Sequence, residues 1–236
     1  MSSEPAIVVP GRFNGPRESG QGGYTAGLIA MKLGELAEVT LRSPVPLDRK
    51  LAVEDAENGA VRVVDGESLI AEGRPRELDL EVPDPVALDE AREAMGRYRG
   101  SPENEFSRCF VCGIARDDSF GVTAGAVEGR DVVASTWTPG QETDLDDTGR
   151  AAPEFVWAAL DCPTYFALYP DSLPISFLAR FTARVDDLPE VGDEYAVMAW
   201  PISKDGRKHL AGSALVDDSG KVLATAEALL IEARES

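Results

Sequence analysis

Apolar and polar residues follow one another along the chain in an order that occurs twice. In the first half, an apolar run at 6–9 precedes a Gly-rich turn at 14–23, and a longer apolar segment follows at 24–33. This segment is long enough, and poor enough in β-branched residues, to predict a mostly buried helix. Strand patterns separated by turn signals then predict an antiparallel meander, at 37–41, 50–54, 60–64 and 69–82.

The second half repeats this order. A strand pattern at 131–137 is followed by a helix pattern at 153–161. Four further strand patterns complete this half, at 177–185, 194–201, 209–217 and 222–233. Because both helix patterns are apolar on nearly every side, we expect each helix to be surrounded by its own sheet. The repeat predicts an α+β fold with two long central helices, each wrapped by a curved antiparallel sheet.

A Pro- and charge-rich stretch separates the two halves and contains a short helix pattern at 86–98. We therefore predict three parts: a first domain at 1–83, a linker with a short helix at 84–104, and a second domain at 105–236.

Composition restricts the partners that this chain can have. The 236 residues are 43% hydrophobic and have a formal net charge of −19. Nucleic acid is not an expected partner, because phosphates require clustered Lys and Arg, and an anionic membrane surface is disfavoured for the same reason. No apolar stretch reaches the about 20 residues that span a bilayer, and residues 1–12 lack a signal-peptide pattern. With an odd number of cysteines, three, we expect a cytoplasmic protein.

Two sequence elements resemble a known protein family. The segment 108–113, Arg-Cys-Phe-Val-Cys-Gly, followed by Phe120-Gly121-Val122, resembles the opening of hotdog thioesterases of the phenylacetyl-CoA thioesterase type. The turn containing Asn14-Gly15 and Gln21-Gly22-Gly23 resembles their Asn…His-Gly-Gly element, with Gln21 in place of the histidine.

The arrangement as a whole resembles bacterial acyl-CoA thioesterase II, a tandem hotdog protein. Trp157 to Asp161, followed by Phe166, is similar to that family's helix with the catalytic aspartate. The resemblance implies a double hotdog fold and a small-molecule acyl-thioester substrate. Coenzyme A would be part of that substrate, and no separate cofactor is implied. Since hotdog sheets pair edge to edge, we also expect a homo-oligomer, most simply a dimer.

Asp161 is the main candidate for chemistry. It follows an unbroken apolar run, and an unpaired carboxylate in such surroundings is costly. In a thioester hydrolase it would activate a water molecule or attack the carbonyl directly. The structural alternative is that Asp161 ends the helix ahead of Pro163. In the first half, aligning Tyr24 with Phe155 places Ala30 at the position of Asp161, so that half would lack the catalytic group.

Further catalytic candidates surround this aspartate in the expected fold. Glycines before a helix allow exposed N–H groups to bind a developing oxyanion, which suggests a role for Gln21-Gly22-Gly23; a turn without a ligand is the alternative. Thioesterase II has a hydroxyl and an amide that assist its aspartate. The approximate counterparts here are Ser176, and Thr225 or Glu227, and the expected glutamine on the last strand is not evident.

We expect the substrate to contact both helices and one hairpin. Phe155, Trp157 and Tyr165 are predicted to line an acyl tunnel. Glu154 is assigned either to substrate binding or, as the structural alternative, to the positive end of the helix dipole. The basic cluster Arg207-Lys208-His209 suits phosphates of coenzyme A, or is simply a solvated hairpin turn.

Cys109 and Cys112 have the Cys-x-x-Cys spacing of metal and redox sites. Because a structural zinc site needs four ligands, and only Cys162 and His209 remain, we expect no metal. We assign the pair instead to the first strand of the second domain, as small apolar residues.

Three interpretations remain after the sequence is considered. The first is an acyl-CoA or acyl-carrier-protein thioesterase that uses Asp161 to activate water. The second is a non-catalytic acyl-thioester binding protein, or a dehydratase-like hotdog, although no hydratase His/Asp pair is evident. The third is a scaffold that uses the fold only to form oligomers.

Overall fold

The computed structural model describes residues 5–34, 36–104, 106–145 and 147–234. Its first half contains one α-helix, α1 (Gly22–Ala30), and five strands. These strands are β1 (Ala6–Val8), β2 (Leu36–Leu41), β3 (Lys50–Asp55), β4 (Val61–Asp65) and β5 (Ser68–Pro75). A second helix, α2 (Leu88–Met95), follows in the segment between the halves.

The second half has the same plan on a larger scale. Its helix is α3 (Pro153–Leu168). Its strands are β6 (Gly125–Ala126), β7 (Val133–Trp137), β8 (Ser176–Val185), β9 (Tyr195–Asp205), β10 (Lys208–Val216) and β11 (Val222–Glu232). None of the helices in the described ranges is long and apolar enough to cross a membrane.

All these strands form one antiparallel sheet in the order β1-β3-β4-β5-β2-β8-β11-β10-β9-β7-β6. The two halves therefore have the same strand order: β1-β3-β4-β5-β2 in the first half corresponds to β7-β9-β10-β11-β8 in the second. The halves meet where β2 pairs with β8, for example Ala37 opposite Ala183 and Val39 opposite Phe181. The predicted α+β class is confirmed. The sheet is continuous rather than divided into two, because β2, at the edge of the first half, pairs with β8, at the edge of the second half.

The two helices predicted as the centres of the halves, α1 and α3, pack against each other in antiparallel directions, and glycines allow a very close approach. A Cβ atom at Gly23 would lie 2.5 Å from the Trp157 carbonyl oxygen, and one at Gly27 would lie 2.6 Å from the Cα of Glu154. Gly23 and Gly27 are four residues apart and so lie on the same face of α1. Apart from this contact, α1 packs mainly on β2, and α3 packs on β7–β11.

Both helices differ in extent from their patterns. Helix α1 begins at Gly22 rather than 24, because Gln21 caps it, and it ends at Ala30 rather than 33. Helix α3 continues to Leu168, seven residues beyond the predicted end, with Pro163 inside it. A proline lacks the N–H that would bond to the carbonyl four residues earlier, but the apolar residues on both sides are buried and hold the helix together. Asp161 therefore does not end the helix, which corrects the structural alternative.

Two strand predictions are wrong. The pattern at 69–82 stops being a strand at Pro75, where the last ladder pair joins it to Ala37. The Cys-Phe-Val-Cys segment is not a strand either, since residues 106–124 form turns and loops as far as they are described, ahead of β6. Gly113 explains this: its N–H donates to the Cys109 carbonyl at 2.8 Å, which closes a tight turn.

Candidate functional site

A cavity of about 970 Å³ lies at the N-terminus of α1, beside the middle of α3. Gln21 and Gly22 line it from the first half, and Asp161 lines it from the second. Its size is within the range of small-molecule sites. Apolar side chains provide much of the remaining wall: Leu41, Val45, Phe106, Ile114, Tyr165, Phe166, Phe177 and Leu178.

Asp161 is held by two donors that both bind the same carboxylate oxygen. The Gly23 N–H donates to Oδ2 at 2.9 Å, and the Gln21 side-chain Nε2 donates to Oδ2 at 2.6 Å. No described residue donates a hydrogen bond to Oδ1. Among the described residues, the carboxyl group is therefore held through one oxygen only, in a residue that lines the cavity.

Gln21 connects the capping of α1 to this carboxylate. Its Oε1 accepts the N–H of Tyr24 at 2.6 Å, which satisfies one of the free donors at the start of the helix. The amide orientation is then set, and Nε2 points toward Asp161. The Gly22 N–H donates to no acceptor among the described residues, and Gly22 lines the cavity.

The pKa of Asp161 is raised from 3.8 to about 7, chiefly because the group is buried; the Gly23 N–H opposes this shift, and the nearby Cys109 sulfur adds a smaller increase. A carboxyl group with such a pKa can both accept and release a proton near neutral pH.

The two sequence elements quoted for the family resemblance are brought together beside this cavity. The Phe110 N–H donates to the Asn14 carbonyl at 3.0 Å, and the Asn14 side chain donates to the Arg108 carbonyl at 3.1 Å. Arg116 completes the junction, because its guanidinium donates to Asn14 Oδ1 at 2.8 Å and to the Arg12 carbonyl at 3.0 Å. The sequence analysis missed Arg116, which has no motif around it.

No protein-family model and no curated protein sequence matches the chain. Solved structures do. A candidate thioesterase from Novosphingobium aromaticivorans superposes with a TM-score of 0.63 at 14% identity, covering 97% of this chain and 95% of that one. A protein of unknown function with a hotdog fold from Alicyclobacillus acidocaldarius has a TM-score of 0.63 at 11% identity, covering 100% and 96%. A tesB protein from Mycobacterium avium subspecies paratuberculosis gives 0.58 at 14%, covering 90% and 87%.

This chain has a hotdog fold. In this hotdog protein, six of the predicted site residues line the cavity: Gln21, Gly22, Asp161, Tyr165, Ser176 and Arg207. Gly23 lies behind them and binds Asp161. Ser176 is buried and accepts a hydrogen bond from the Tyr169 hydroxyl at 3.1 Å.

The remaining predicted residues do not line the cavity. Phe155 is part of an aromatic cluster, with its ring 5.4 Å from that of Tyr24, and Trp157 lies 5.6 Å from Phe181. Glu154 packs beside Gly27, and burial raises its pKa. These three side chains belong to the hotdog core around the helix pair, and their assignment to substrate binding stays a prediction.

Strands β10 and β11 hold the other candidates. His209 is buried; its Nε2 lies 3.0 Å from the Gly206 carbonyl, and its ring lies 5.3 Å from that of Tyr169. Thr225 is buried on β11 opposite Arg184, and Glu227 lies 3.9 Å from Arg76. Lys208 is exposed. Of the basic cluster, only Arg207 reaches the cavity wall, where it also donates to the Glu232 carbonyl at 2.8 Å.

Proposed function

We propose that the protein hydrolyses acyl thioesters, with Asp161 activating the attacking water. The observation that supports this most is the geometry of the carboxylate: Asp161 lines a large, partly apolar cavity and is held through Oδ2, while Oδ1 has no hydrogen-bond donor among the described residues. The full-length likeness to hotdog structures, some of them described as thioesterases, agrees with this chemistry.

The proposed reaction uses one proton carrier. Asp161 Oδ1 takes a proton from water while the water oxygen attacks the thioester carbonyl carbon. The carbonyl oxygen becomes negative and accepts the Gly22 N–H, with the positive end of the α1 dipole behind it. The C–S bond then breaks, the thiolate leaves, and the proton on Asp161 passes to the sulfur. The products are a carboxylic acid and a free thiol.

The cavity suits such a substrate at both ends. Its apolar wall, which includes Phe166, Phe177 and Leu178, would hold the acyl chain. Arg17, Arg42 and Arg207 are exposed at the same cavity and would bind the phosphates of coenzyme A or of a carrier protein's prosthetic group. We therefore propose an acyl-CoA or acyl-carrier-protein substrate.

The site is proposed to occur once in each chain, because the two halves are a double hotdog with unlike sequences. Isolated bridges support the alignment: Asn14 pairs with Gly20, and Asp144 with Ala151, ahead of α1 and α3 respectively. In this alignment Ala152 replaces Gln21, Pro153 replaces Gly22, and Ala30 replaces Asp161. The equivalent site formed by Ala152, Pro153 and Ala30 therefore lacks the carboxylate, the amide side chain and one backbone N–H.

The test is Asp161→Asn, assayed for free thiol release on a panel of acyl-CoA esters of different chain length. We expect a loss of at least about 100-fold in kcat/KM, since general base catalysis contributes this much or more. Asp144→Asn is the matched control, because it neutralises another half-buried carboxylate of the second half, one that does not line the cavity.

Unchanged turnover in Asp161→Asn would remove this residue from the mechanism. Binding of acyl-CoA by the wild-type protein with no thiol release from any ester would favour the non-catalytic binding protein instead.

A further inference from the structure

All three cysteines of the chain converge at one point. Cys109 and Cys112 come from the loop ahead of β6, and Cys162 comes from α3, 53 residues after Cys109. Their three sulfur atoms lie within 4.8 Å of one another, and the sulfurs of Cys109 and Cys162 are 3.7 Å apart. Sequence spacing shows only the first pair, so the third thiol is a finding of the structure.

The separations suit a tetrahedral thiolate site. Zinc binds cysteine sulfur at about 2.3 Å, which places two sulfurs of a tetrahedron about 3.8 Å apart. The Cys109–Cys162 distance already has this value. Closing the other separations requires sulfur movements of about 1 Å or less, which side-chain rotation can supply.

The loop backbone is already arranged to support a thiolate. The Val111 N–H points at the Cys109 sulfur, with nitrogen and sulfur 3.4 Å apart, and backbone N–H groups on ligating sulfurs orient them and reduce their charge. Gly113 holds this turn closed: a Cβ atom there would lie 2.3 Å from the Cys109 carbonyl oxygen. The turn is therefore built around the sulfur and would not tolerate a larger residue.

No basic side chain in the described part of the chain forms a hydrogen bond or ion pair with a cysteine. Three thiols in such surroundings cannot ionise together without a cation, because several buried like charges repel strongly. A divalent ion supplies the missing charge. It also displaces the three thiol protons to solvent, so that the occupied site has one net negative charge.

We propose that Cys109, Cys112 and Cys162 bind one soft divalent metal ion of the zinc class, with its fourth position facing the cavity. All three residues line that cavity, so water or a ligand sulfur can reach the ion. His209, the only histidine, does not belong to the cluster, since its Nε2 lies at the Gly206 carbonyl. Three protein ligands with one open position is the arrangement of catalytic rather than structural zinc sites.

The ion would fasten the loop to α3 at the residue following Asp161. Gln21 Nε2, which donates to Asp161, also lies 3.7 Å from the Cys162 sulfur, so the metal and the carboxylate would share a neighbour. The inference does not depend on thioester hydrolysis, because it concerns metal content and would stand for a protein without enzymatic activity.

The test uses the full chain purified under reducing conditions without chelators. Metal content is measured by mass spectrometry on wild type, Cys109→Ala, Cys112→Ala and Cys162→Ala, with Ser107→Ala as a neighbouring control that removes no sulfur. We expect about one zinc-class ion per chain in wild type and in the control. Each cysteine variant should bind zinc at least about tenfold more weakly, since it lacks one of three ligands.

Cobalt provides a readout that needs no variant. Replacement of the ion by Co²⁺ in the wild-type protein should give the visible bands of tetrahedral cobalt and a sulfur-to-cobalt charge-transfer band, whose intensity counts the thiolates. The proposal is overturned if the reduced protein binds neither zinc nor cobalt, if all three alanine variants keep the ion, or if thiol counting shows a Cys109–Cys162 disulfide in place of the metal.

Discussion

Gly23→Ala tests the helix contact on which the site depends. The added Cβ atom would lie 2.5 Å from the Trp157 carbonyl oxygen and 2.6 Å from the Asp161 Cβ. Both obstacles are close to rigid backbone, so a flexible side chain cannot simply move aside. An ordinary contact needs about 3.4 Å, and the helices would have to separate by about 0.9 Å.

The cost follows from this displacement. Overpacking of a tight core costs about 1–3 kcal/mol, and this exceeds the gain of about 0.4–1 kcal/mol from a less flexible unfolded chain. The net destabilisation is about 1.3 kcal/mol at the centre of these ranges and at most about 2.6 kcal/mol. For a protein of this size, 1 kcal/mol corresponds to about 2–4 °C in Tm, so we expect a decrease of about 3–5 °C, and of about 10 °C at most. Separation would also stretch the hydrogen bond from Gly23 to Asp161, and the proposed thioesterase activity should fall together with stability.

Thermal unfolding followed by circular dichroism measures the first effect, and thiol release the second. Gly96→Ala is the control: Gly96 has helical dihedral angles at the end of α2, where an alanine meets only the Glu93 carbonyl at 3.3 Å. Its Tm should change little. The explanation of the helix contact fails if Gly23→Ala melts within 1 °C of wild type.

Two further changes test the polar contacts. Gln21→Ala removes a charge-assisted hydrogen bond to Asp161 and the cap of α1. Since such bonds contribute about 1.5–3 kcal/mol, we expect kcat/KM to fall about 10- to 100-fold in thiol release assays. An unchanged value would contradict the assigned contact. Glu38 is 3% exposed and forms ion pairs with Arg74, Arg76 and Arg180. Glu38→Gln should therefore lower the free energy of unfolding by about 1–3 kcal/mol in urea titrations. The control Glu72→Gln affects one exposed pair with Arg42 and should lower it by less than about 1 kcal/mol.

The periodic parts of the fold could be predicted from the sequence, because the signals there are local. Hydrophobic runs and Gly-containing turns gave the two helices and the meanders, and the alternation of strands fits the observed antiparallel pairing. The extent of α3 could not be predicted, since a proline inside a helix is tolerated only when tertiary burial on both sides compensates for the missing hydrogen bond. The predicted end of β5 is wrong for the opposite reason, because the strand pattern in the sequence continues after the partner strand β2 has ended.

The site was partly within reach of sequence reasoning. The sequence points to Asp161 and to Gln21-Gly22-Gly23 separately, but no local pattern shows that a residue of the first half and one of the second half share a hydrogen bond. The cysteine cluster shows the same limit, because Cys162 joins the pair across 53 residues through the packing of a loop on α3. Apolar character alone suggests Phe155 and Trp157 as tunnel residues, and apolar character does not distinguish a cavity wall from the core.

The position of Gln21 and Asp161 in opposite halves of one chain has a consequence for variation. Were the halves identical subunits, every substitution would appear at two sites, and a change that helps one helix would be imposed on the other. A single covalent chain removes that constraint. The helix with glycines can specialise in hydrogen-bond donation and close approach, and the other helix can specialise in carrying the carboxylate that receives those hydrogen bonds. Each can change without a compromise in its counterpart.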